Sequence, residues 1–136
     1  MEYTVKQGSL TPQEFAALFT AVGWTPPGLE QIRAALQNSL AVFSVSAGNR
    51  TIGMALLVGD GAMTFLIKDA AVAPEFQGKG IGKLLISVIE DYVTRTILPG
   101  WAASVELISA QGRESFYEKC GFRTGSGAGM LKMIRR

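Results

Sequence analysis

The chain has 136 residues, 48% of them hydrophobic and 18% charged, with a formal charge of +2. That length supports one core, the apolar content excludes intrinsic disorder, and so small a charge on scattered basic residues gives no footing for nucleic acid. There is no histidine, so the usual serine or cysteine triad and an imidazole-built zinc site lose their base or ligand, and no metal is expected.

Residues 2–7 alternate weakly and read as a first strand. Thr11-Pro12-Gln13-Glu14 then supplies a cap, a proline at the first helical position and a reciprocal glutamate. Phe15, Leu18, Phe19 and Val22 fall at i, i+3, i+4 and i+7 of that helix, which Gly23 ends. After the turn-rich link 24–28, Leu29, Ile32 and Leu36 stripe a second amphipathic helix. Runs 41–46 and 51–58 flank Ala47-Gly48-Asn49-Arg50 and read as a hairpin, and a second hairpin turns at Gly59-Asp60-Gly61.

Residues 63–72 form a long strand, apolar on both faces except at Lys68 and Asp69, and are expected in the centre of the sheet until Pro74 stops them. The turn 75–80 opens a helix to about Ile97, with Ile81, Leu84, Leu85, Val88, Ile89 and Tyr92 at helical spacing. Pro99-Gly100 breaks the chain before a strand at 102–108. A short helix at 112–120 ends on Gly121, with Phe122 packing back over that cap, and 130–134 reads as a last strand. No repeat or second domain is visible, so 1–136 is expected to be a single domain.

No apolar run approaches the roughly 20 residues that cross a bilayer, so no membrane partner is expected. The first residues lack the basic-then-apolar pattern of a signal peptide, and the one cysteine, Cys120, allows no internal disulfide. A cytoplasmic location is the expectation.

Gln77-Gly78-Lys79-Gly80-Ile81-Gly82-Lys83-Leu84 joins a strand directly to a helix. Free N–H groups at a helix start, with the positive end of its dipole, bind phosphate, and glycine lets the phosphate come close. A Walker loop needs Gly-Lys followed by serine or threonine, and here Leu84 follows Lys83. The dinucleotide pattern fails too, because its third glycine arrives one place early at Gly82. What remains is Q-x-x-G-x-G, formed by Gln77, Gly80 and Gly82.

With Asp69-Ala70-Ala71-Val72-Ala73-Pro74 before it and Phe116-Tyr117-Glu118-Lys119-Cys120-Gly121-Phe122 near the end, this pattern resembles the GCN5-related N-acetyltransferase (GNAT) family over essentially the whole chain. Gly23-Trp24, Gly53-Met54 and Gly129-Met130 make it most similar to small bacterial members related to plant serotonin N-acetyltransferase. The resemblance implies an α/β (α+β) fold, a mixed central sheet of roughly six to seven strands with a splayed fourth and fifth strand, flanked by about four helices. It implies acetyl-CoA as co-substrate, its pyrophosphate on the turn Gln77, Gly78, Lys79, Gly80, Ile81, Gly82 and Lys83 and its pantetheine arm beside Ala71 and Val72. A homodimer follows from the family's habits and the apolar composition.

Direct acyl transfer needs a neutral amine, although a lysine-like amine has a pKa near 10.4, so a base or a water relay must help. The departing thiolate, of pKa about 8.5, can take a proton from a tyrosine of pKa about 10 in contact with it. Tyr117 occupies the family's usual position for that acid; the competing reading is a core aromatic, which is also the better reading of Phe116. For the base, alternation places Asp69 on one face with Phe65, Ile67 and Ala71, where burial would raise its pKa. The matching aspartate of the plant-like subgroup is a proposed amine-handling residue, while a salt bridge or hydrogen-bond anchor is the structural alternative. Glu106, on the next strand with Ser104 and Ile108, is the other candidate, and either carboxylate can act through water.

Trp24, Phe76 and Met130 are the expected apolar acceptor pocket, competing with a role in ordinary packing. Cys120, without a histidine to activate it, reads as a small core residue. The expected activity is acetylation of a primary amine on a small molecule, of aryl-alkyl type. Two other readings stay open: a CoA-binding regulatory module without turnover, and an acetyltransferase acting on a protein amine through an open groove.

Overall fold

The capping box forms as the sequence predicts. In the computed structural model, which describes residues 2–136, Glu14 N donates to Thr11 Oγ1 at 3.1 Å and Thr11 N donates to the Glu14 carboxylate at 2.9 Å. Those two bonds start helix α1 (Pro12–Ala21), which buries Phe15 and Leu18, and α2 (Leu29–Asn38) buries Ile32. The chain divides into two compact units, Met1–Glu106 and Leu107–Arg136.

The first unit is built on a mixed sheet in the order β1 (Tyr3–Gln7), β2 (Ala41–Ala47), β3 (Arg50–Gly59), β4 (Thr64–Val72) and β5 (Ser104–Glu106). Every pair is antiparallel except β4 with β5. The sheet therefore has five strands rather than six to seven, and β3, not β4, stands in its middle. The predicted strand at 102–108 shortens to three residues. The predicted strand at 130–134 is not formed: Met130, Leu131 and Ile134 are 90%, 83% and 86% exposed. Its apolar residues stand in adjacent pairs, Met130-Leu131 and Met133-Ile134, so no single face is apolar and no neighbouring strand fixes it.

Pairing of Ala47 with Arg50 makes the β2–β3 connection a two-residue turn, Gly48-Asn49, tighter than the four-residue link read from the sequence. Gly48 supplies the positive φ, +60°, that such a turn needs. At the next hairpin the Asp60 carboxylate accepts from Ala62 N, Met63 N and Thr64 N at 2.9, 2.8 and 3.1 Å. Gly59, at φ +147°, has Thr64 O only 2.0 Å from where a Cβ would stand. Gly59→Ala is therefore expected to cost about 3 kcal/mol, from strain and the need to push a backbone carbonyl aside. Urea denaturation measures this; a loss under about 0.5 kcal/mol would mean the turn relaxes freely.

Helix α3 (Ile81–Thr96) covers one face of the sheet. A Cβ on Gly53 would meet Ile81 Cγ2 at 3.0 Å, so glycine permits that close approach. At the other end of α3, Tyr92 lies edge-on to Phe43, with ring centroids 5.9 Å apart, and its hydroxyl donates to Leu40 O at 3.3 Å. Helix α1 packs on β3 and β4. Between the helices and the sheet lie Phe65, Met54, Leu57 and Ile89, each under 2% exposed.

The second unit contains the fourth helix, α4 (Glu114–Lys119). Its end follows the sequence reading: Gly121 takes φ +96°, and Phe122 N donates to Tyr117 O at 3.0 Å. The Phe122 ring then packs edge-on against Tyr117, with centroids 6.0 Å apart.

Candidate active site

Strand β4 carries a bulge. Met54 pairs with Ala71 and Leu56 with Lys68, so the single residue Ala55 faces both Asp69 and Ala70. Asp69 takes φ +54°, the one positive φ outside glycine among the described residues. Such a conformation costs about 1–3 kcal/mol, at the low end for aspartate, and such strain gathers at functional sites.

The extra residue corrects the face assignment made from alternation. Phe65 and Ile67 are in register with Gly59 and Leu57, whereas Ala71 is in register with Met54. Ala71 therefore lies on the opposite face from Phe65 and Ile67, because a bulge shifts the alternation by one. Asp69 is half-buried. Burial pushes its carboxyl above the ordinary range, and the neighbouring Lys68 ammonium offsets part of that rise.

β5 pairs with β4 only along Thr64, Phe65 and Leu66. The ladder on that side thus stops before Asp69, and the backbone of β4 from Ile67 to Val72 continues without that strand partner. Glu106 ends the short β5, exposed, and accepts from Ser104 Oγ at 2.6 Å.

The glycine-rich turn begins where β4 ends. Ala73 N donates to Ile52 O at 2.8 Å, a 3-10 turn covers Pro74–Phe76, and the Gln77 side-chain amide donates to Val72 O at 3.0 Å. Gln77 thereby pins the turn to the strand it leaves. Gly78 and Gly80 take φ +76° and +85°, and no atom lies within 4 Å of a Cβ built on either. Backbone angle, not crowding, requires glycine there, and the space above both is open. Gly80 is the N-cap of α3 and makes no side-chain cap. The first-turn amides of Ile81, Gly82 and Lys83 therefore meet no side-chain acceptor from the cap, and the positive end of a 16-residue helix lies behind them.

Cations stand beside this turn. Lys79 Nζ and the Arg50 guanidinium lie 5.5 and 5.6 Å from the centroid of the Phe76 ring, and Arg50 also pairs with Glu75 at 2.7 Å. Arg50 was not among the sequence candidates. It sits just past the Gly48-Asn49 turn, and only strand register carries it to residues 25 positions later. Open glycine backbone, an uncapped helix start and flanking cations fit the diphosphate of a CoA thioester.

In the second unit, Tyr117 is half-buried between Phe116 and Phe122, edge-on to both. Burial pushes its phenol above the ordinary value, Arg113 pulls it back in part, and Cys120 adds to the rise. The phenol is thus protonated at neutral pH and able to donate. Cys120 is half-buried at the end of α4.

The three expected acceptor-pocket residues have different neighbours. Trp24 is edge-on to Phe19 at 5.0 Å, and Phe19 stacks on Phe15 at 5.1 Å, so Trp24 extends an aromatic row from α1. Phe76 is edge-on to Tyr3 at 6.3 Å. Met130 belongs to the second unit and is 90% exposed. Among the described residues, no three histidine, cysteine, aspartate or glutamate side chains gather as a metal would require, and no helix is long and apolar enough to cross a membrane.

The family model for an acetyltransferase (GNAT) domain matches residues 38–124. A soybean (Glycine max) protein named histone acetyltransferase TAP1 is 34% identical over 126 residues, covering 85% of this chain and 53% of its own. The uncharacterized N-acetyltransferase ycf52 of the red alga Pyropia yezoensis is 27% identical over 124 residues, covering 88% and 69%. The chain thus spans between about half and two thirds of the length of these curated relatives. A probable acetyltransferase of unknown function from methicillin-resistant Staphylococcus aureus superimposes with a TM-score of 0.88 at 27% identity, covering 98% of this chain and 100% of that one. A GNAT-family acetyltransferase from Streptococcus pneumoniae gives 0.81 at 28% identity, covering 99% and 100%.

Proposed function

The chain belongs to the GNAT acetyltransferase family, and from that premise we propose that it transfers the acetyl group of acetyl-CoA directly to a primary amine of a small molecule, of aryl-alkyl type. The observation that carries the proposal is the turn at 77–83: two left-handed glycines before an uncapped helix, tied by Gln77 to the end of a bulged strand. A matched stretch spanning both compact units supports treating 1–136 as one N-acetyltransferase domain.

Acetyl-CoA, when bound, supplies the activated thioester. The amides of Gly78, Gly80, Ile81, Gly82 and Lys83 hold its diphosphate, with Lys79 and Arg50 balancing the charge. The backbone of Ala71 and Val72, beyond the end of the β5 ladder, offers hydrogen bonds to the pantetheine arm. Asp69 takes a proton from the incoming ammonium, directly or through one water, and so frees the nitrogen lone pair. Tyr117 gives its proton to the sulfur as the carbon–sulfur bond breaks, which spares a thiolate from leaving unaided, and the second proton shed by the acylated nitrogen restores the phenol, directly or through water.

A base held above the ordinary carboxylate range gives a rate that rises as pH passes its raised pKa, because only the ionised form accepts a proton. Asp69→Asn is expected to abolish that low-pH limb and lower kcat/KM about tenfold to a hundredfold. A mutant that keeps the limb points to Glu106 or to no protein base.

Trp24, Phe76 and Met130 are proposed to contact the apolar part of the acceptor. The resemblance to plant serotonin N-acetyltransferase supports an aromatic amine, and the exposed apolar tail at 130–134 supports a homodimer. The proposal places the protein in the cytoplasm, without nucleic acid, membrane or metal partners. A protein lysine is the second acceptor reading, favoured by the name of the soybean relative. Mass spectrometry after incubation with acetyl-CoA and a mixed panel of aryl-alkyl amines, polyamines, amino acids and lysine peptides separates the two. N-acetylated small amines are expected; acetylated peptides alone would transfer the assignment to proteins, and no product would leave a CoA-sensing module.

A further inference from the structure

Ser44 and Ser46 are buried polar side chains of β2, 3% and 8% exposed. Val45, between them, is in register with Gly53, whose face lies against Ile81 and Leu85 of α3. Alternation turns both serines to the opposite face, the α1 side, where they line a cavity of about 170 Å³ with Lys6, Glu14, Asn49 and Thr51. Every residue lining it is polar or glycine.

Neither serine hydroxyl has a hydrogen-bond partner among the described residues. No fully buried side-chain oxygen among the described residues lacks a partner, so both hydroxyls open onto the cavity and are available to hydrogen-bond whatever fills it. Glu14 is fixed at the cavity wall by Thr11 N and by the Thr51 hydroxyl. Burial raises its carboxyl, but those hydrogen bonds and the charge of Lys6 outweigh burial and hold it below the ordinary range, fully ionised at neutral pH. Lys6 lines the same cavity without closing an ion pair to Glu14. One anion and one cation thus face a small polar space without neutralising each other by contact.

We propose that this cavity binds a small zwitterion, a free amino acid with little or no side chain, its ammonium on Glu14, its carboxylate on Lys6 and its remaining hydrogen bonds on Ser44 and Ser46. A simple anion would face Glu14 and a simple cation would face Lys6, while a neutral polyol would answer neither charge. The all-polar lining gives a longer apolar side chain nothing to pack on. The site lies across the sheet from the face that α3 covers and does not depend on the acetyl-transfer reading.

Titration of the isotope-labelled full chain with glycine and L-serine, followed by amide chemical shifts, tests this. Saturable shifts at Asn49 and Thr51 are expected, with glycinamide and N-acetylglycine, each keeping one charge, binding at least about tenfold more weakly. Lys6→Met and Ser44→Ala are each expected to weaken glycine about tenfold. Lys6 is exposed, so its variant keeps the test valid if the serine variant fails to fold. No saturation in the millimolar range, equal binding of glycerol, or glycine binding untouched by Lys6→Met would each overturn the proposal and leave a water-filled cavity.

Discussion

Tyr117→Phe is expected to lower kcat by about a hundredfold or more while changing acetyl-CoA affinity less than about twofold. The change removes one oxygen and keeps the ring, so the edge-on packing against Phe116 and Phe122 survives. What is lost is the proton for the departing sulfur. General acid catalysis contributes about 10²–10⁴-fold, and on the proposed mechanism a phenol kept protonated by burial supplies it across the neutral range. The two quantities separate the roles: a residue that only packs would lower stability and binding together, whereas an acid lowers kcat alone. Single-turnover kinetics with the purified mutant, beside its melting temperature, would show this. Unchanged turnover at several pH values would remove Tyr117 from the mechanism.

Gly80→Val is expected to weaken acetyl-CoA binding about thirtyfold. The residue holds φ +85° at the N-cap of α3, a conformation that a β-branched side chain takes only at a cost of about 1–3 kcal/mol. No atom lies within 4 Å of the added Cβ, so the new side chain has open space rather than core to enter. Strain at the cap and bulk before the free amides both oppose the diphosphate, while the buried face of α3, Ile81, Leu85, Ile86, Ile89 and Val93, keeps its packing. Calorimetric titration gives the affinity and circular dichroism the helix. A dissociation constant within twofold of the parent chain would mean that these amides do not hold the phosphates.

The features legible in the sequence are those whose cause is local. The capping box at Thr11 and Glu14, the glycine at 121 with Phe122 folded back, and the glycine turn before α3 are each dictated by a few adjacent residues. The features that alternation misplaced depend on a partner strand. Asp69-Ala70-Ala71 reads as an unbroken strand until Ala55 of β3 opposes two residues at once, which moves Ala71 to the other face. Arg50 becomes a neighbour of Phe76 and Glu75 only through the tight Gly48-Asn49 turn and the register of β3 with the end of β4. The strand expected at 130–134 also depends on a partner: its apolar residues stand in adjacent pairs that form no single face, and no neighbouring strand among the described residues pairs with it.

The buried serines of β2 show a further limit. In the sequence, Ser44 and Ser46 alternate with Phe43 and Val45, a pattern that in an edge strand would put the serines in solvent. The fold instead flanks β2 with β1 and β3 and brings α1 over that face, so the same alternation encloses hydroxyls rather than exposing them. A polar stripe on a strand is therefore not a surface until the strand order is known.

Release of the CoA thiol, followed continuously while acetyl-CoA and an aryl-alkyl amine are varied against each other, tests the central claim most directly. Amine-dependent, saturable release with intersecting double-reciprocal lines is the expected result, since direct transfer requires both substrates on the protein at once. Parallel lines would indicate an acyl-enzyme and contradict direct transfer, and saturable acetyl-CoA binding with no release for any amine would contradict the assignment as an acetyltransferase.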